Sequence, residues 1–305
     1  MIYYYIISHV LGDFYFQSQE LSDYKEISRR GVKIHNIQYA LTFIILMMLR
    51  IILIRNTSPV LLDFTLTLIF IFIHATIDVL KFRLTKTSYL DDTQKFQYDY
   101  TVKRDRFIES TRLNGFKKLA MNDVPRNDSD DEISNNGKKT LAPITIFGID
   151  QFCHLFFIVM IYKLVCIWFD CSFYKELLSN DFQMYLSMIL VVLLVAKPAN
   201  ILIVMLTDKF DPKQMSVDEG LAGAGARMGT LERLLTLLFL SQNLVSGIAV
   251  VFTLKGIARY KKISDNAKFA EYFVIGTFTS LLIVFIVYIF IFELKVFEVL
   301  VLSFL

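Results

Sequence analysis

The sequence predicts an all-α fold, a polytopic integral membrane bundle of about six or seven transmembrane helices, and three observations lead to it. Apolar residues make up 55% of the 305 positions and the mean hydropathy is +0.50. They fall in long runs, each close to the roughly 20 residues that carry a helix across a bilayer core. The strict apolar–polar alternation of a transmembrane barrel is absent from the sequence. A bilayer admits only helices and closed barrels, because every backbone donor and acceptor must be bonded within the protein, so a helical bundle remains.

The runs predict spans over about 1–18, 34–55, 59–80, 144–168, 184–206, 231–254 and 269–292. The first is short and polar on one face. It has no basic leading region and no small-residue cleavage site, so it is expected to stay in the mature protein. The fifth is interrupted by Lys197-Pro198-Ala199-Asn200, where proline removes a backbone donor and kinks or ends a helix. An equal reading puts Lys197 at a membrane surface, with an interfacial segment after it. The expected organisation is an N-terminal membrane segment of three helices (1–81), a basic cytoplasmic loop (82–143), and a C-terminal membrane segment of three or four helices (144–305). The part of the loop around 120–140, including Asn122 to Glu132, is too polar to bury a core and is expected to be disordered.

Charge supplies the orientation. The net charge of +3 is small, and the basic residues gather between spans. That pattern predicts membrane lipids as partners and no nucleic acid. Lys25, Arg29, Arg30 and Lys33 mark one cytoplasmic loop; Lys103, Arg104, Arg106, Arg112, Lys117 and Lys118 mark another. Simple alternation then places the basic segment Lys255 to Lys268 on the opposite side, against its charge, so one span assignment conflicts with the rule. Cys153, Cys166 and Cys171 lack the spacing of a redox or zinc motif and read as small apolar residues.

The histidines are the informative residues. There are four, His9, His35, His74 and His154, each in or beside a predicted span. Three have an aspartate four positions away: His9 with Asp13, His74 with Asp78, and Asp150 with His154. Residues four apart share a helix face, so each pair points one way. Gln17 continues the first stripe, and Gln151 lies beside Asp150. Ionisable side chains within spanning helices are costly and normally face the bundle interior, which brings the pairs together with His35 as a further arm. Imidazole and carboxylate form a ligand set for a divalent transition metal such as zinc, and the aspartates could instead orient the histidines. The expected metal residues are His9, Asp13, His35, His74, Asp78, Asp150 and His154. The plain alternative is that each His–Asp pair is a self-satisfied unit joining helices.

A second polar group, Arg227, Glu232, Arg233, Lys255 and Arg259, lies in the C-terminal third. Its functional reading is a pocket for an anion or phospholipid head group; its plain reading is interfacial anchoring. No phosphate-loop ending follows the nearby small residues.

These residues also carry a family resemblance. His9, Asp13-Phe14, Gln17, His35, and the His74, Asp78, Lys81 element match the pattern of membrane proteins grouped as domain of unknown function 3307. Asp150-Gln151 with His154, Lys197-Pro198 with Asn200, Gly229 with Leu231-Glu232-Arg233, Lys255 to Arg259, and Glu271-Tyr272 to Gly276-Thr277 resemble its longer members; Met228 stands where isoleucine is expected. The resemblance covers nearly the whole chain except 82–140 and implies a bacterial cytoplasmic membrane. It implies no activity.

The leading expectation is therefore an intramembrane metal site, with a hydrolase acting on a lipid or anionic amphiphile as the reaction. The rival is an ion- or proton-coupled transporter that uses the same pairs as a relay. A third reading is a structural or signalling membrane protein. Substrate, protein partners and oligomeric state stay open at this level.

Overall fold

The computed structural model describes residues 2–53, 60–90, 143–168, 180–207, 210 and 224–293. Every regular element among them is helical: α1 (Ile2–Val10) with a π turn (Leu11–Tyr15), α2 (Gln19–Ile27), α3 (Arg29–Leu53), α4 (Val60–Leu90), α5 (Pro143–Trp168), α6 (Asn180–Thr207), α7 (Ala224–Ser241), α8 (Val245–Asp265), and α9 (Ala267–Tyr288) with a closing π turn (Ile289–Glu293). Five stretches among the described residues are long and apolar enough to cross a membrane: Arg29–Ile52, Val60–Thr85, Ile144–Trp168, Phe182–Thr207 and Ala267–Glu293. Large apolar side chains such as Leu61, Phe72 and Trp168 stand outward on them. In water that outward apolar surface would drive association; against lipid tails it is matched. The chain is a multi-pass membrane protein.

The chain forms two compact units, Ser8–Val165 and Met1–Ile7 with Cys166–Leu305. In the first, α3 packs along α4, α2 and the π turn. Ser18 caps α2 by accepting from the Leu21 N–H at 3.2 Å, which starts this short polar helix immediately after the π turn. Helix α4 runs on to Leu90, beyond the expected loop start, while the basic residues at 103–118 and the segment 120–140 fall outside the described residues. Cys153 is half-buried and Cys166 buried on α5, and Cys171 also falls outside. Near one end of the unit a fully buried ion pair joins Arg50 of α3 to Asp63 of α4.

The second unit departs from expectation twice. Helix α6 continues through Pro198 rather than ending there. The reason lies in Arg233 of α7, whose Nε–H donates to the Val195 carbonyl at 2.5 Å and whose terminal nitrogen reaches the Ala196 carbonyl at 3.4 Å and the Asn200 side chain. Proline disturbs the backbone bonding of the turn before it, and a neighbouring guanidinium supplies donors to that turn. The expected span 231–254 is two helices, α7 and α8, which meet at Gln242-Asn243-Leu244. Asn243 takes a left-handed φ of 56°, which asparagine tolerates. A Cβ on Gly247 would lie 2.7 Å from the Phe239 ring, so glycine permits the close approach of the two helices. Lys255 pairs with Glu232 across this hairpin at 2.6 Å.

Helix α8 runs back along α7, so the expected single span 231–254 is a hairpin and the basic segment Lys255 to Lys268 follows a return of the chain.

The Arg50–Asp63 pair generates a stability prediction. Removing one partner strands a buried charge, so Asp63→Ala should lower unfolding stability in detergent by about 3–5 kcal/mol. The double variant Arg50→Leu/Asp63→Leu should recover most of that loss in the same chemical-denaturation measurement.

Candidate functional site: a histidine and aspartate cluster

The N-terminal unit gathers its ionisable side chains from six elements. The end of α1 supplies His9 and the π turn Asp13. Helix α3 supplies His35, α4 supplies His74, Asp78 and Lys81, and α5 supplies Asp150, Gln151 and His154. Lys25 joins from α2. All four histidines and the three aspartates are nearly inaccessible, between 0% and 8% exposed, among helices that are otherwise apolar. Ionisable groups at such depth need partners close by.

Those partners are one another. His35 Nε2 lies 3.1 Å from Asp13 Oδ1, 3.3 Å from Asp78 Oδ2 and 3.2 Å from His74 Nε2. His74 Nε2 is 3.6 Å from Asp78 Oδ2, one turn along α4, and His154 Nε2 is 3.8 Å from Asp78 Oδ1. Asp13 with His35 and His74, and His74 with Asp78 and His154, form two overlapping sets of donor atoms within 4.8 Å of one another. His9 sits at the side, with Nδ1 3.1 Å from the Tyr39 hydroxyl and Nε2 3.4 Å from Gln151 Oε1. Asp150 is turned toward Lys81 at 2.7 Å.

The expected His–Asp pairs thus meet, but not as self-contained pairs. Only His74 and Asp78 face each other in the way the four-residue spacing suggests. The others exchange partners between helices, with Asp13 going to His35 and to the Gln151 amide, which donates to Oδ2 at 2.7 Å. Asp13 Oδ1 and Asp78 Oδ2 share the single His35 Nε2, and Asp150 Oδ1, His74 Nδ1 and both ring nitrogens of His154 have no hydrogen-bond partner among the described residues. Buried polar atoms are nearly always bonded, so a group of orphans around one centre is a sign of an additional ligand.

Three supporting residues were not among the expected site residues. Tyr39 stacks flat on His74, with ring centroids 3.5 Å apart and planes 2° from parallel. It lies one helical turn beyond His35, a signal open to the same spacing argument. Lys25 reads in the sequence as an orientation charge, yet its ammonium stands 3.6 Å from Asp13 and 3.8 Å from Asp78. Burial works against that charge, but Asp13, Asp78 and Asp150 outweigh it and hold the Lys25 pKa above the ordinary lysine value. The stabilisation this provides is therefore present at neutral pH and lost only as pH rises through the raised value. Gln151 links Asp13 to Asp150, its nitrogen 3.5 Å from Asp150 Oδ2.

A family model described as "Protein of unknown function (DUF3307)" matches residues 1–182. The chain belongs to that family. The matched stretch of this DUF3307 chain takes in every residue of the cluster, whereas the resemblances from Lys197 onward lie beyond it. No curated protein and no solved structure matches the chain.

The C-terminal residues of the DUF3307 chain are placed differently. Arg227 is exposed on α7, Arg259 is half-buried on α8, and Glu232 and Lys255 pair with each other. Arg233 is buried; besides its α6 acceptors it bonds Ser280 at 3.3 Å and Thr230 at 3.2 Å. The Glu232–Lys255 pair and the Arg233 network are thus two separate features of the second unit.

The packing around Gly12 yields a test of the cluster's rigidity. A Cβ there would lie 2.8 Å from the Tyr39 ring. Gly12→Ala is therefore expected to displace the ring that stacks on His74 and to cost about 1–3 kcal/mol in unfolding stability. Gly148→Ala, where nothing lies within 4 Å of the new carbon, should leave stability unchanged or slightly raised, as helix propensity favours alanine.

Proposed function

We propose that the chain is a multi-pass membrane protein that binds one divalent transition metal, such as zinc, inside its N-terminal bundle. Its ligands are drawn from Asp13, His35, His74, Asp78 and His154, which form two overlapping sets of three that share His74, while His9 and Asp150 lie beside them. The observation that carries this reading is the spacing of the donor atoms, 3.1 to 3.8 Å from neighbour to neighbour. Ligands about 2.0–2.1 Å from a tetrahedral ion stand roughly 3.3 Å apart. The unpartnered nitrogens of His154, and the single His35 Nε2 that Asp13 and Asp78 must share, support it. A divalent ion there would supply Lewis acidity and an activated water near neutral pH, which makes hydrolysis the reaction class we favour, with a lipid or anionic amphiphile as substrate.

Gln17 sets the chemistry of His35. The Gln17 nitrogen donates to His35 Nδ1 at 3.3 Å and to the Asp13 carbonyl at 3.0 Å, and its oxygen accepts from the Ser22 N–H and hydroxyl at 3.2 Å, so the His35 Nε2 proton faces the carboxylates. Ligation through Nε2 would move that proton to Nδ1 and require the amide to turn and accept it. Gln17 would thus act on the metal through His35, as a positioning residue.

A second reading is the proton relay of an ion-coupled transporter, favoured by the hydrogen-bond distance of 3.2 Å between His35 and His74. Metal analysis of the purified protein separates the two. Stoichiometric metal in the native protein, lost in His74→Ala/His154→Ala, is the expected result. No metal under replete conditions, together with proton-dependent flux in proteoliposomes that Asp78→Asn abolishes, would overturn the metal reading. Gln17→Met should weaken metal affinity about 10–100-fold by removing the acceptor for His35 Nδ1, with the fold intact by circular dichroism.

A further inference from the structure

The metal reading leaves open what the loaded site recognises, and Lys25 carries an answer that rests on that reading. Its side chain is only 14% exposed, yet the carboxylate oxygens it faces among the described residues are Asp13 Oδ1 at 3.6 Å and Asp78 Oδ2 at 3.8 Å. A charge-assisted N–H to oxygen bond closes to about 2.7–2.9 Å, the distance Lys81 reaches on Asp150. An ammonium with three donors thus leans toward two carboxylates without closing on either. The oxygens it leans on, Asp13 Oδ1 and Asp78 Oδ2, are the ones a metal would take.

Charge counting sharpens this. Asp13, Asp78 and Asp150 bring three negative charges, and Lys25 and Lys81 two positive, so with neutral histidines the group sums to −1. A divalent metal turns the sum to +1. The loaded site thus carries one net positive charge, which an anionic ligand would offset. The two lysines also stand at the ends of one connected run. Lys25 faces Asp13, Gln151 joins Asp13 to Asp150, and Asp150 holds Lys81. An anion bound at the metal would have Lys25 on one flank and Lys81 beyond Asp150.

We propose that the metal-loaded cluster binds a phosphoryl oxyanion, with Lys25 as its charge partner. A phosphoryl group has oxygens to spare, so one meets the metal while another meets an ammonium, a role in which lysine serves as a point charge. This moves anion recognition to the cluster itself, onto α2 and α4, and away from the arginines of α7 and α8. Head group and free phosphate share this chemistry, and the test separates them.

The test uses the full chain in detergent, loaded with cobalt(II), whose visible spectrum reports its ligands. Elemental analysis first establishes the cobalt content; failure to take up cobalt overturns the metal reading and this inference with it. Titration with inorganic phosphate should then change the visible spectrum saturably, with chloride at equal ionic strength giving no change. Lys25→Met should keep its cobalt and weaken phosphate binding about tenfold, and Lys25→Arg should retain most of it. A cobalt-loaded native protein that ignores phosphate overturns the inference while the metal reading survives, and so does undiminished binding in a folded Lys25→Met. Repeating the titration in nanodiscs of phosphatidylcholine with added phosphatidic acid identifies the source. Tighter response to the lipid marks a head-group site, and tighter response to free phosphate marks a soluble ligand.

Discussion

Three carboxylates buried among apolar helices govern the N-terminal unit. A carboxylate at such depth has lost its water, and no lipid-facing helix offers a substitute. Asp13, Asp78 and Asp150 therefore draw histidine, glutamine and lysine from every neighbouring element, and the contacts between helices follow from that demand. Helix α5 illustrates it. Its side chains Asp150, Gln151 and His154 reach the residues of α1, α4 and the π turn, while Ile149, Phe152, Phe156, Met160 and Leu164 face outward. Remove the carboxylates and α5 keeps its hydropathy but loses its reason to sit in one rotational setting.

The second unit has the opposite polarity problem. Its buried charge is a guanidinium, and the acceptors that meet it are neutral: two backbone carbonyls, an amide and two hydroxyls. Arg233 and Pro198 are complementary in this. Proline perturbs the hydrogen bonding of α6, and arginine has more donors than any other side chain to restore it. A sequence that carries Lys-Pro-Ala-Asn in one helix and Leu-Glu-Arg in the next describes a bond between them, not a break.

Hydropathy alone made the bundle legible, because a run of apolar residues has one physical interpretation at membrane length. The histidines were legible as a group because ionisable residues in such runs must converge. What the four-residue spacing could not convey was who meets whom. Asp13 leaves its helical neighbour His9 for His35, since the π turn changes its direction. The α7–α8 hairpin was hidden for a similar reason. Its turn, Gln242-Asn243, is two polar residues in a long apolar stretch, too weak a signal against the run on either side. Lys25 was misjudged because a lysine between spans normally reports orientation, and only the approach of α2 to the cluster gives it another part.

The π turn at Leu11–Tyr15 has a consequence for comparing related chains. The Phe16 N–H bonds back to Leu11 across five residues instead of four, closing at 2.9 Å. That one additional residue is a hidden insertion, absorbed inside a helix rather than in a loop. A relative lacking it would run as plain α-helix, and everything before the deletion would swing by about 100° relative to everything after it. His9 and Asp13 could not then both keep their present directions. Among members of the family, the count of residues between these two positions is thus a geometric quantity, and a gap placed there in an alignment marks a change of architecture at the cluster.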